Sequence, residues 1–439
     1  MPRISRRKLL KLSGAGAGGG LAGILASRRA PAYAQGTALH WLKFVDFVPV
    51  SDQLLKGRIK EECQKALGIT LTVETINGDG VQARITSAIQ SRTGPDIMMA
   101  VNNWTQLYAD SVADVSDIAE EAGNALGGYF ETAHSVANDG KKWIAMPFTI
   151  LGVLMVNRTS WFAEEGITPE TFPKTWEEYR AVGKKLKAKN RPLGQTLAHA
   201  FGDGPAFWYP YLWSWGGKEV EADGKTVVLN SRETIESVKF AAGMWKDSFD
   251  EGGMSWDDAG NNRAFLSNTI GSTSNGASIY LLSRSKPENY MSETGKQIKD
   301  DCFHAPLPKG PGGQFSYHVP FSNLVPSYGA NQKAAKEFLR WFHSKEVYDT
   351  WFTSQQGFSV GATKAWENHS LWKIDPVMAP FRTAAESGRF CGYAGPAGRS
   401  AAETVSKFII VDMYAKAVQG MAAEDAVKWA HSELVKIYV

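Results

Sequence analysis

The sequence predicts an α/β protein of two lobes, with the chain crossing between them. Three observations lead there. The N-terminal third alternates strand and helix patterns in a βαβαβ order, which builds a mainly parallel sheet with helices on both faces. Two apolar runs, 143–146 and 151–156, are joined through Pro147 and have different elements on either side, as where a chain leaves one sheet for another. Finally, 439 residues, 43% of them hydrophobic and 21% charged, suffice for two or three domain-sized cores.

The first 34 residues stand apart. They hold seven of the 48 Lys and Arg and none of the 45 Asp and Glu, so the remainder has 41 basic against 45 acidic residues, a net of −4 where the whole chain is +3. A mildly acidic body argues against a nucleic-acid or anionic-membrane partner. Ser5-Arg6-Arg7-Lys8-Leu9-Leu10-Lys11 reads as a twin-arginine export motif. Ala32-Tyr33-Ala34 reads as an A-x-A site, with cleavage expected near Ala34-Gln35 and a periplasmic destination. The Gly/Ala/Leu run between them is too short and too glycine-rich for a membrane helix. Its resemblance to a dinucleotide fingerprint (Gly14–Gly19) is discarded, because no strand precedes it. Cys63, Cys302 and Cys391 allow one disulfide at most, with Cys302–Cys391 the open possibility, and none has zinc-like spacing.

Taken in order, the pattern predicts a strand over 38–44, a helix over 52–67 ended by Gly68, and a strand over 69–75. A turn at Asn77-Gly78-Asp79-Gly80 follows, then a helix over 81–91 with Val81, Ile85, Ala88 and Ile89 on one face. A third strand over 95–99 leads into Asn102-Asn103-Trp104. In such a sheet ligands collect at the carboxyl ends of the strands, which gathers 44–47, 77–80 and 101–104. Beyond Pro147, Thr175-Trp176-Glu177-Glu178 is a capping box opening a long helix. Residues 206–217 hold six aromatics; a short strand over 226–229 and an amphipathic helix over 231–248 come next. The run 270–276, a helix from Ser278, and amphipathic helices over 330–343 and 423–437 complete the order.

Pro147-Phe148, the apolar strand ending at Asn157, a one-turn helix to Phe162, and Pro173-Lys174-Thr175-Trp176-Glu177-Glu178 stand in a fixed order. Together they resemble the first crossover of the family 1 extracellular solute-binding proteins, the sugar-binding components of bacterial ABC importers. Pro95-Asp96, the 263–276 element with Ser274-Asn275-Gly276 at its tip, residues 301–309, the 330–343 helix and Gln356-Gly357-Phe358-Ser359-Val360 extend the likeness over nearly all the chain after residue 35. Departures are Asn268 where Gly is usual, Ile270-Gly271 for a small-Met pair, and Val360 where Pro is common. The resemblance implies a two-lobe periplasmic binding protein fold of type II, maltose-binding-protein-like, with three interlobe crossings near Pro147, Ala305 and Lys345. Lobe 1 would be 36–148 plus 305–343, and lobe 2 would be 149–304 plus 344–439.

The resemblance further implies a mono- or oligosaccharide held between the lobes, no cofactor and no catalysis. It also implies a monomer that docks transiently on a membrane permease. A sugar has C–H faces and a rim of hydroxyls, so it needs flat aromatic surfaces beside groups that donate and accept hydrogen bonds. Aromatic candidates are Phe44, Trp104, Phe148, Trp213, Trp215 and Phe358. Polar candidates are Asp46, Asp79, Asn102, Asn103, Asn275 and His318, with Gly80 and Gly276 at loop tips. Structural alternatives stand beside them. Positions 208, 211, 212 and 215 share a helical face, so Trp208 and Tyr211 read as core, leaving Trp213 as the expected platform. Trp104 equally suits packing on the 52–67 helix, 77–80 is first a turn, and His318 is as readily structural.

Catalytic patterns are absent from the sequence: no H-E-x-x-H, G-x-S-x-G, Walker loop or calcium loop occurs, and Asp257-Asp258 reads as a solvated surface pair. Two rivals remain. A secreted carbohydrate-active enzyme would need a carboxylate pair facing the cleft. A receptor for a phosphorylated polyol or an oligopeptide is the closer one, since a phosphate would want basic side chains, for which Lys43 and Arg399 are the candidates.

Overall fold

In the computed structural model, residues 36–386 and 388–439 are described; the export motif and cleavage site lie outside them. The first lobe is built on a five-stranded sheet in the order β2-β1-β3-β9-β4. Its strands are β1 (Ala38–Phe44), β2 (Thr70–Ile76), β3 (Ile97–Val101), β4 (Met146–Leu151) and β9 (Val319–Leu324). The first three are parallel, and β9 runs antiparallel between β3 and β4. Trp41 on β1 is fully buried beneath the Gln332–Phe342 helix, its ring meeting Phe338 and Phe342 edge-on at 5.7 Å. The second lobe has a three-stranded antiparallel sheet, β6 (Ser272–Asn275), β5 (Leu154–Arg158) and β7 (Cys302–Ala305). Its helices Trp176–Ala188, Asp203–Ser214, Arg232–Ser248 and Ile409–Val418 enclose an aromatic core.

Local chemistry explains most element ends. Thr175 Oγ1 accepts from the Glu178 N–H while Glu178 reaches back to the Thr175 N–H, so the expected capping box is formed. Ser231 caps the Arg232–Ser248 helix in the same way through the Thr234 N–H. Gly68, at φ 69°, ends its helix in the left-handed region. The 77–80 segment differs from the expected free turn: Asn77 is the N-cap of a helix that already begins at Gly78, its side chain accepting from the Asp79 N–H. Asn-Gly and Asp-Gly favour turns, but an Asn at the cap gives a helix start the same local sequence. The expected helix over 52–67 is also longer, running from Pro49 with one π turn at Leu55–Ile59. The expected strand over 226–229 reduces to a single bridge, Val220 with Val227.

Two crossings fall elsewhere than the sequence indicates. Pro147 does not leave the sheet; β4 runs through it, with a bulge between Pro147 and Thr149, and the chain departs at Gly152-Val153. Proline is tolerated there because the bulge interrupts the ladder. The second crossing follows Ala305, passing through β8 (Ser316–Tyr317) into β9. The third comes later than Lys345. The Lys345–Ser354 helix stays with the first lobe: Tyr348 donates to the Phe148 carbonyl, Gln355 to Asp46, and Val360 N–H to the Ile150 carbonyl. Second-lobe partners begin with Gln356, which accepts from Arg284, and Asp375 then takes hydrogen bonds from Tyr280 and Arg284. β10 (Gly388–Arg389) then pairs with β8. All three cysteines are buried free thiols, so Cys302 and Cys391 are not paired. No helix among the described residues is long and apolar enough to cross a membrane.

Candidate functional site

The carboxyl ends of β1 and β2 face the second lobe across a cleft. From the first lobe come Phe44, Phe47, Phe321 and residues 77–79; from the second come Phe201, Gly202, Asp203, Asp258, Asn275 and Gly276. Phe358 and the crossing residues Leu151 and Val153 close the inner end. Two adjoining cavities share Phe44, Phe47, Phe201 and Asp258 as walls.

Phe201 reaches across from the second lobe. Its ring lies 6.2 Å from Phe44 and 6.4 Å from Trp104, and its carbonyl accepts from Asn102 Nδ2 at 2.8 Å. Gly78 leaves room for that ring, since a Cβ at 78 would stand 2.1 Å from Phe201 Cε1. On the other side of the cleft, Phe47 and Phe358 are 6.1 Å apart, and the Phe358 ring would come within 3.1 Å of a Cβ at Gly276. The two lobes are thus in contact here through rings and the Asn102 amide.

Asp258 organises the second-lobe wall. Its Oδ1 accepts from the Gly202 N–H at 3.0 Å and the Asp203 N–H at 2.7 Å, and its buried Oδ2 has no hydrogen-bond partner. Burial raises both carboxyl groups above the usual range; the charge of Asp258 adds to the effect on Asp203, and that of Asp79 to the effect on Asp258. Asp79, less enclosed, is also raised by burial and by Asp257. Asp46 is raised by burial but is fully engaged, accepting from Val48 N–H and Gln355 Nε2. Lys43 is committed to Asp52 at 2.5 Å and to the Phe44 carbonyl, and Arg399 lies exposed beside Asp110. No lysine or arginine lines either cavity.

Of the residues expected from sequence, the cleft brings together Phe44, Asp46, Asp79, Asn275, Gly276 and Phe358. Asn102, Asn103 and Trp104 sit instead at the seam between lobes. Asn102 bridges Phe201 and Tyr317, Asn103 donates to the Ala397 carbonyl, and Trp104 is buried against Phe201. Gly80 is exposed and lines neither cavity. Phe148 belongs to the first-lobe core, 4.4 Å from the Trp351 ring. Trp213, the expected platform, is 1% exposed with Nε1 bonded to Glu219, and Trp215 leans on Phe240. Helical spacing predicted the core role for their neighbours; it holds for these two as well, because the helix is enclosed all round. His318 lies at the crossings, where its Nδ1 accepts from the Val153 N–H and burial pushes it down to about 4.

Sequence reasoning missed Phe47, Phe201, Asp203, Phe321 and the inward turn of Asp258, which is 8% exposed rather than a solvated pair member. Phe201 had one usable signal: a lone ring in a loop followed by Gly202-Asp203-Gly204, where nothing else provides a core.

Two α/β lobes, joined by three crossings, flank a cleft lined from both sides. The model of the family "Bacterial extracellular solute-binding protein" matches residues 51–349, and the chain belongs to that family. The family is extracellular, and its members and the structural neighbours are substrate-binding proteins. Among curated relatives, the diacetylchitobiose binding protein DasA of Streptomyces coelicolor is 28% identical over 181 residues, 40% of this chain and 37% of that one. The chain therefore spans little more than a third of that relative in the match. A solute-binding protein of Thermotoga lettingae bound to α-D-tagatose superposes with a TM-score of 0.79 at 18% identity, covering 92% of this chain and all of the other. Maltose-bound MalE3 of T. maritima gives 0.76 at 18% identity, covering 91% and 99%. These likenesses show the maltose-binding-protein-like two-lobe fold.

Proposed function

We propose that the protein is the periplasmic receptor of an ABC importer, closing on a sugar or polyol and delivering it to a membrane permease. The observation behind this reading is the cleft itself, in which phenyl rings and carboxylates from both lobes converge on one small volume. Rings suit the C–H faces of a carbohydrate and carboxylates accept from its hydroxyls. The named guests of the relatives, diacetylchitobiose, tagatose and maltose, favour the same class. The lack of basic lining weighs against a phosphorylated guest. Export by the twin-arginine route, cleavage near Ala34-Gln35, a monomeric state and action by binding alone complete the proposal.

A carboxylate pair does face the cleft, as an enzyme would require. Both members, however, sit side by side on the second-lobe wall, Asp258 Oδ1 accepting from the Asp203 N–H, whereas glycoside hydrolysis needs two carboxyls flanking the scissile bond. Thermal-shift measurements against sugars and polyols test the receptor reading, since a ligand at 100 times its Kd adds about 2.7 kcal/mol of stability. A rise with sugars and no turnover of them is expected; a rise with phosphorylated compounds alone would overturn it.

A further inference from the structure

The cleft's polar inventory is unbalanced. Asp79 faces it from the first lobe, and Asp203, Asp257 and Asp258 from the second. Asp257 is paired with Arg263 at 2.7 Å, and Asp46 is satisfied by its neighbours. That leaves Asp79, Asp203 and Asp258 without a cationic partner. Asp258 is more than nine-tenths buried, with an Oδ2 that meets no donor. Matching donors are scarce: the Asn275 amide already donates to Asn262 and Ser278, and Asn77 is engaged as a helix cap.

A neutral sugar both donates and accepts at each hydroxyl, whereas ionised carboxylates only accept, so they use half of its capacity. A buried carboxylate oxygen with no donor is costly, and like charges on opposite lobes oppose closure. An ammonium group resolves all three difficulties. It only donates, it is drawn to the faces of phenyl rings, and it neutralises the facing carboxylates as the lobes meet. Phe44, Phe47, Phe201 and Phe358 supply such rings without a polar edge.

We infer that the guest of this cleft is a sugar or polyol bearing a free amino group, with its ammonium held by Asp258 and Asp203 against the Asp79 side. This rests on the receptor reading and narrows its ligand class. Closure then favours cations, because a positive guest lets Asp79 and the second-lobe carboxyls be ionised together.

The test is titration of the full chain, followed by tryptophan fluorescence and calorimetry, with glucosamine, galactosamine and the β-1,4-linked glucosamine dimer, each beside its N-acetylated counterpart. Amino forms are expected to bind at least tenfold more tightly. Asp258→Asn keeps an amide oxygen for the Gly202 and Asp203 N–H groups, so it is expected to fold; it should weaken the amino forms at least tenfold and bring them level with the acetylated ones. N-acetylated or neutral sugars binding as tightly as amino forms, or an unchanged Kd in Asp258→Asn, would overturn the inference while leaving the receptor reading intact. Binding of none of these sugars in either form overturns the inference, and the receptor reading then falls only if the wider thermal-shift screen of sugars and polyols is also silent.

Discussion

Two sets of aromatic residues lie within one lobe's width of each other and do different work. The Asp203–Ser214 helix holds Phe207, Trp208, Tyr209, Tyr211 and Trp213 close together along one stretch, and all are buried. Their polar tips are largely spent inside the lobe: Trp208 donates to the Thr196 carbonyl, Tyr211 to the Ser237 carbonyl and Trp213 to Glu219. The cleft rings, Phe44, Phe47, Phe201, Phe321 and Phe358, are scattered over more than 300 residues and have no polar tip at all. Aromatics clustered in sequence form a core, because one helix can bury them together. Rings that meet a guest come from separate loops, because a cleft is where separate elements end.

That contrast can be broken most sharply at Trp213. Trp213→Ala should cost about 3–5 kcal/mol of stability, seen in urea unfolding, through lost packing and the stranded Glu219 carboxylate. The ligand Kd of the folded fraction should stay within twofold; a large loss of affinity with little loss of stability would return Trp213 to the site.

The cleft side is probed at Gly78. In Gly78→Ala the new methyl meets the Phe201 ring only when the lobes are together. Overpacking of this kind costs roughly 1–3 kcal/mol, so affinity should fall about tenfold while the unfolding midpoint hardly moves. Adding Phe201→Ala should abolish the extra effect of Gly78→Ala, because the clash has no second partner. Additive losses in the double variant would refute the contact.

The smallest effect concerns pH. Burial pushes Glu219 up to about 7 from 4.5. The folded state therefore holds this proton more tightly than the unfolded one, and its contribution is full below pH 4.5 and lost as pH rises through 7. Between pH 5 and 8 the unfolding free energy should fall by an amount on the order of 1 kcal/mol through this group, with a flatter slope in Glu219→Gln. His304 and His318 act in the opposite sense. Burial pushes each down to about 4, so their contribution is lost as pH falls from 6.5 through 4. A stability profile that rises steadily from pH 5 to 8 in the wild type and Glu219→Gln alike would remove Glu219 from the account.

What the sequence determined by itself is the order of elements and the family. Strand and helix periods, the Thr175–Glu178 box, and the Pro147-Phe148 to Glu178 run depend on neighbours a few residues apart, which a linear reading sees. Phe44, Asp79, Asn275 and Phe358 were legible as cleft-lining residues because they stand at strand ends or at a family loop tip. The tertiary structure alone decided where the chain crosses, since Pro147 stays in β4 and residues 345–355 stay on the first lobe through contacts made across the molecule. It alone turned Asp258 inward and set Phe201 against Gly78. Those placements depend on which loops of two lobes come to face one another, a distance in space that spacing along the chain does not encode.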